Sequence, residues 1–288
     1  MNKFKDKSFK TITYVSSLFV IIFLFGIIAS IFYEGLPIFQ HVSLKDFLFN
    51  TAWHPTHDTP DFGIFSLIIG SLLVTLGALL IAIPLGLGSA IYISEIAAQN
   101  TREILKPLIE LLAGIPSVIY GLFGMAFLSP FLIKTFKIPT GLNLFSASII
   151  LGIMVVPIIS SLSEDALSSV PKNLREASLA LGANKWETII KVVVPASRSG
   201  IFNSIILGFG RAIGETMVVL MVAGGAAQIP KNIFQPIRPM PATVAAEMGE
   251  TVIGSPHFHA LFGISIILFI ITFLTILITE FAIRRRKK

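Results

Sequence analysis

The sequence contains no cysteine, which excludes a disulfide framework, a thiol nucleophile and a zinc–thiolate centre. Charge is scarce as well. Only 13% of residues are Asp, Glu, Lys or Arg, against roughly 25% in soluble domains, whose surfaces must face water. No G-x-x-x-x-G-K-[ST] phosphate loop occurs, so ATP cannot be bound by that device and its energy must come from another chain. There is no H-E-x-x-H run, nor a convergent Ser–Lys set at membrane depth, so a membrane-embedded enzyme has no visible machinery. His54/His57 and His257/His259 each lack an evident third ligand, and no metal centre or other cofactor is expected. Internal repeats and low-complexity tracts are absent too.

What the chain does have is apolar length. Of its 288 residues 54% are hydrophobic, and the mean hydropathy is +0.84. Runs of about 20 apolar residues are what a helix needs to cross roughly 30 Å of hydrocarbon. Six such runs are drawn at Thr11–Tyr33, Phe62–Ile83, Pro107–Phe131, Phe145–Leu162, Ile201–Val222 and Ala260–Ile283. The second continues to Ile93, too long for one upright helix, and Pro84 is expected to kink or end it. The first follows a basic head, as a signal peptide would. Its run of about 23 residues exceeds the roughly 7–15 of a cleaved segment, so it reads as a retained span.

The net charge of +6 is placed as a topology signal rather than as a nucleic-acid surface. Lys3, Lys5, Lys7 and Lys10 precede the first run, and Arg284, Arg285, Arg286, Lys287 and Lys288 follow the last. With both ends inside, the inner segments also hold Arg102, Lys106, Lys172, Arg175, Lys185, Lys191 and Arg198. The outer ones hold only Lys45, Lys134, Lys137, Lys231 and Arg238. That bias follows the positive-inside rule and requires an even number of spans. The expected protein is all-α and embedded in the lipid bilayer, with about six helices and both termini cytoplasmic. It divides into residues 1–61 (tail, first span, outer loop), a core of 62–283 with five spans, and a basic tail, 284–288. Nucleic acid is not an expected partner.

Within the core, the inner segment 163–200 is polar, helical in pattern and longer than a connector needs to be. It carries Glu176-Ala177-Ser178, then Gly182 after three residues, and Val192-Val193-Val194-Pro195 after nine more. Ala177 and Ala180 form a small-residue face that admits a close partner. Gly182 permits a bend between helical pieces, and Pro195 suits a restart before the fifth span. A second feature is Arg211 at the middle of the fifth run, with Glu215 four residues on. An Arg at membrane centre costs at least roughly 2.5–3.5 kcal/mol on insertion scales, so it must face a cavity or a partner charge. Spacing i, i+4 puts both groups on one helix face. They either neutralise each other or line a path along which Arg211 attracts an anion. Glu110 is expected either to snorkel to the membrane face or to pair with Lys106 or Arg102, and Glu247 and Glu250 to lie at the outer surface, either solvated or against a partner protein.

The inner segment resembles the EAA loop of ABC-importer permeases, E-A-A, three residues, G, nine residues, I-x-L-P, with Ser178, Val192 and Val194 as conservative departures. Gly210-Arg211-Ala212-Ile213-Gly214-Glu215-Thr216-Met217 resembles the fifth-span signature of phosphate-importer permeases of the PstC type. Pro84–Leu87, Ile91–Glu95, Glu110–Gly121 and Ala242–Glu250 agree with it, so the resemblance covers about 62–250. It implies a type I ABC importer permease fold and inorganic phosphate as cargo. It implies a pathway built from Arg211, Glu215 and Thr216; on the chemistry of a carboxylate, Glu215 is further expected to accept a proton from partly protonated phosphate. It also implies that Glu176, Ala177, Ser178, Gly182 and Pro195 form the element that docks on an ATPase. The implied partners are a PstA-type sister permease, PstB-type ATP-binding subunits and an extracytoplasmic phosphate-binding protein. A permease for molybdate or sulfate, the sister permease, or a proton-driven transporter are the alternative readings.

Overall fold

The structure, a computed structural model, describes residues 3–286, and side-chain surroundings for 9–277. The basic side chains of Lys3, Lys5, Lys7 and 284–288 therefore lie outside the described residues. The chain opens with α1 (Lys3–Gly35), a 3-10 turn at Leu36–Gln40 and the short α2 (Leu44–Phe49). A two-stranded hairpin follows, β1 (Trp53–His54) antiparallel to β2 (Asp61–Phe62), with Trp53 opposite Phe62. Next come α3 (Phe65–Ile91), which winds on as a π turn over Tyr92–Ile96, then α4 (Gln99–Ala113), α5 (Ser117–Phe123) and α6 (Ser129–Phe136). After these lie α7 (Leu144–Ser168), α8 (Lys172–Ala180), α9 (Lys185–Thr188), α10 (Val194–Ile213), α11 (Met217–Val222), α12 (Met240–Glu247) and α13 (Pro256–Arg286).

Among the described residues, six helical rods have the length and apolarity of membrane spans: Phe9–Gln40, Phe65–Ile96, Ser117–Phe136, Leu144–Ser168, Lys185–Ile213 and Pro256–Leu277. The main boundary differences from the sequence reading have local reasons. Pro84 lies inside α3 and does not end it. One lost N–H costs little where neighbouring helices surround the rod. The third span begins at Ser117, because Gly114–Pro116 separates it from α4. α4 carries Arg102, Lys106 and Glu110 on a helix with no buried residue. The fifth rod starts at Lys185, not Ile201, and α7 runs on to Ser168, so the connector between spans shrinks to 169–184. Pro195 sits just past a π turn at Ile189–Val193, in a rod that never breaks there. An inserted residue of this kind is a common way to absorb local mismatch in a helix.

The centre of the molecule is the α3–α7 pair, against which α10 packs. The two backbones approach through small residues. A Cβ on Gly86 would stand 2.8 Å from the Ile159 side chain, and one on Gly152 would stand 3.0 Å from the Ala78 carbonyl oxygen. Lipid supplies no hydrophobic drive between helices, so such contacts carry the association. Gly152→Val should therefore lower the stability of the detergent-solubilised protein by about 1–3 kcal/mol, read as an earlier thermal unfolding transition. Gly88 faces open space, and its alanine variant should unfold as the parent does. α1 instead shows large side chains such as Phe23, Leu24 and Phe25 to the surroundings, which in a bilayer are acyl chains. A second core, with Phe47, Trp53, Phe62, Leu67, Met240 and Leu261, closes the end that carries the hairpin.

Candidate functional site

The fifth rod stops at Ile213, and α11 starts at Met217. Gly214, Glu215 and Thr216 are the three residues between the helices, and Gly210 lies one turn before them. A six-residue helix such as α11 needs its first N–H groups satisfied. Glu215 does this: Oε1 accepts from Met217 N at 3.1 Å and Val218 N at 3.2 Å. Its other oxygen, Oε2, accepts from Arg211 Nη1. The Glu215 side chain is 3% exposed and that of Arg211 43%. A buried carboxylate thus clamps an arginine whose outer face is open. Arg211 Nη2 also lies 3.8 Å from Met154 Sδ. The remaining donors of its planar fork have no acceptor among the described residues, and a fork of this shape suits a tetrahedral oxyanion. Thr216 Oγ1 is 3.4 Å from Gly214 O, a loose contact.

The Arg211–Glu215 ion pair forms, and the outer face of the arginine stays accessible. The helix break was not anticipated; two glycines around the pair were its only signal. With both Glu215 oxygens engaged, a proton from a bound anion would have to displace one of these donors. Arg211 lies two residues before the end of the rod at Ile213, beside the break.

The inner segment resolves into α8 and the turn after it. α8 closes with Leu181 N on Ala177 O, Gly182 N on Leu179 O and Ala183 N on Ser178 O, and Gly182 has φ +88°. This is the Schellman closure, for which glycine lacks the Cβ penalty. Asn184 and Glu187 then form a capping box that starts α9. Glu176 and Ala177 are exposed and Ser178 is half-buried, with its hydroxyl 3.0 Å from Thr188 Oγ1. Leu174, Ala177, Ser178, Leu181 and Gly182 line a shallow groove with Glu187, Lys191 and Val192 on its far side. Pro195 lies one turn beyond that wall.

Two ion clusters at the α8 end of the molecule have no signal in the local sequence. Glu164, 1% exposed in α7, binds Arg102 Nη2 at 2.5 Å and Lys106 Nζ at 2.7 Å. These are the cations that had been assigned to Glu110, which instead lies exposed on α4. Lys106 also reaches Asp165 at 2.6 Å. Hydrogen bonds to Asp165 and then Glu164 hold the Lys106 ammonium above the ordinary lysine value. Its contribution is complete at neutral pH and fades only as pH climbs through that raised value. Replacing Glu164 by leucine leaves both cations without their buried counter-charge and should destabilise the protein by about 3 kcal/mol, measured by thermal unfolding at pH 7. The second cluster joins Arg175 to Glu95.

At the opposite end, Glu247 is a hub rather than a solvated surface group. It accepts from Trp53 Nε1 at 3.0 Å, Arg238 Nη1 at 2.5 Å and His257 Nε2 at 2.9 Å. The hairpin, α12 and the start of α13 are tied together by this one carboxylate.

Residues 82–288 match the family model described as binding-protein-dependent transport system inner membrane component. The chain belongs to that family. The permease is 40% identical over 256 residues to the probable ABC transporter permease protein YqgH of Bacillus subtilis, covering 88% of this chain and 83% of the relative. It is 34% identical over 302 residues to the phosphate transport system permease protein PstC of Mesorhizobium japonicum, covering 97% and 90%. Among solved structures, a chain of a bacterial alginate ABC transporter superposes with TM-score 0.68 at 16% identity, covering all of this chain and 99% of the other. A chain of the MetNI methionine ABC transporter gives 0.57 at 19%, covering 77% and 94%. The fold is that of a type I ABC importer permease, with six candidate spans. The permease is a multi-pass membrane transport subunit, not an enzyme, and its partners include an ATPase and a substrate-binding protein.

Proposed function

We propose that this permease carries inorganic phosphate inward through a pathway that it shares with a sister permease of the PstA type. The ATPase partner is then of the PstB type and the binding protein is a phosphate-binding protein. The observation that carries this reading is the half-exposed Arg211 fork, held beside the helix break of the fifth span by a buried carboxylate. Several PstC proteins that match nearly the whole chain support the choice of anion. Arg211 receives the anion, Glu215 fixes its orientation and Thr216 lies at the same break. The orientation is with both termini cytoplasmic, as the distribution of Lys and Arg supports, and the core 62–283 is the working unit. Residues Glu176, Ala177, Ser178 and Gly182, with Pro195 behind them, present α8 and its groove to the ATPase.

The test is reconstitution of the permease with its three partners in liposomes loaded with ATP. Labelled phosphate should accumulate, and excess unlabelled phosphate should block it while molybdate and sulfate do not. Strong inhibition by molybdate or sulfate would name another oxyanion as the cargo. Accumulation driven by a proton gradient without ATP would overturn the reading altogether.

A further inference from the structure

If α8 is the element on which the ATPase acts, its motion must reach the spans through whatever holds it, and apolar packing does not. No residue of α8 is buried, so the helix could swing on its flanking turns with little loss of hydrophobic contact. The small cluster beneath it, Ala90, Leu167, Val170 and Val193, belongs to α3, the end of α7 and the π turn before α10. Polar contacts between α8 and the rest are few. Ser178 meets Thr188 on the next helix.

The other link is Arg175, one residue before Glu176. Its Nη2 donates to Glu95 Oε1 at 2.7 Å and its Nε to Glu95 Oε2 at 3.2 Å, a two-point contact between a fork and a carboxylate. The same guanidinium donates to Leu167 O at 2.9 Å and to Val170 O. These carbonyls come at and just past the end of α7, where the last turn has no helical partners. One side chain of α8 thus holds both α3, through the π turn that carries Glu95, and α7. These are the two helices that pack most extensively in the molecule. The Glu95 side chain is only 9% exposed and that of Arg175 22%, so water screens the pair weakly. A flexible lysine could not reproduce four directed bonds.

We infer that Arg175 and Glu95 are positioning residues that make α8 move as one body with α3 and α7, so that ATPase motion becomes motion of the pathway. This rests on α8 being the ATPase contact. Glu95→Gln is the cleaner break, because it leaves the Arg175 bonds to the α7 carbonyls in place. The isosteric amide keeps the volume, while Glu95→Asp keeps the charge at shorter reach.

The experiment uses the assembled four-component transporter in liposomes and measures ATPase co-purification, ATP hydrolysis and phosphate uptake together. Glu95→Gln should co-purify with the ATPase as the parent does and keep its hydrolysis rate, while uptake falls about tenfold, raising the ATP spent per phosphate by the same factor. Glu95→Asp should restore the ratio to within about threefold of the parent. A fall of hydrolysis and uptake in parallel, or loss of co-purification, would make the pair structural and overturn the inference. Unchanged uptake in Glu95→Gln would overturn it too. Co-purification undiminished by a bulky substitution in the α8 groove would instead remove the premise that α8 meets the ATPase.

Discussion

Arg211→Ala is expected to reduce phosphate uptake by about a hundredfold or more, because two charge-assisted hydrogen bonds to an anion are together worth about 3 kcal/mol or more. The ATPase should still co-purify, since Arg211 lies about 39 Å of helix away from Lys185, near the inner connector. Lysine at 211 keeps the charge but not the fork, and should recover little of the loss. The companion variants separate two roles of Glu215. Gln at 215 retains an oxygen for the N–H groups of Met217 and Val218 but no longer neutralises Arg211. Ala at 215 removes both contacts, exposes the start of α11 and costs about 1 kcal/mol more in stability from the lost cap. If Glu215 acts by orienting Arg211, the Gln variant should raise the phosphate concentration for half-maximal uptake while thermal unfolding shifts little. Wild-type uptake in Arg211→Ala would end the assignment of this break as the anion site.

Ala177→Arg should abolish uptake for a different reason. Ala177 is exposed and lines the α8 groove beside Leu174, Ser178 and Gly182. A long charged side chain there fills the space that a partner surface must enter, and desolvating it is costly. Association with the ATPase should weaken by at least about thirtyfold, the scale of a hot-spot loss near 2 kcal/mol. The isolated permease should unfold at the parent's temperature, because that side chain is exposed and the longer one can extend into solvent. Co-purification, uptake and unfolding measured on one preparation give this pattern a signature distinct from that of Arg211→Ala, in which co-purification survives. A variant that retains both ATPase and uptake would show that the groove is not the docking surface.

Composition and patterning were enough to read the class of this protein. Apolar runs of spanning length and a scarcity of charge leave few architectures open, because backbone polar groups in lipid must be satisfied within helices. The EAA-like spacing around Glu176 and Gly182 was legible for a local reason: a left-handed closure after a short helix favours glycine, and the structure has Gly182 at φ +88°. The Arg211–Glu215 pair was legible because an ionised group in an apolar run stands out and i, i+4 spacing is a short-range rule.

Other features depended on residues far apart in sequence. Arg102 and Lys106 were paired with Glu110 because it is near them on the same stretch. They bind Glu164 instead, since α4 lies along α7 and a helix tilt decides which carboxylate is within reach. Glu95 and Arg175 are 80 residues apart, and nothing in either neighbourhood announces the other. Trp53 and Glu247 are joined across 194 residues, turning an expected surface acid into an internal tie. The break after Ile213 belongs here as well. Gly214 permits it, but the buried Glu215 carboxylate stabilises it by capping α11 and holding Arg211, and that depends on the burial supplied by the surrounding helices. Sequence alone, then, determined that this chain has about six apolar runs of spanning length, an i, i+4 ion pair inside one of them and a polar segment with EAA-like spacing. How Arg211 and Glu215 are held at the break, and which carboxylates tie the spans together, was decided only when helix packing set distances that periodicity does not encode.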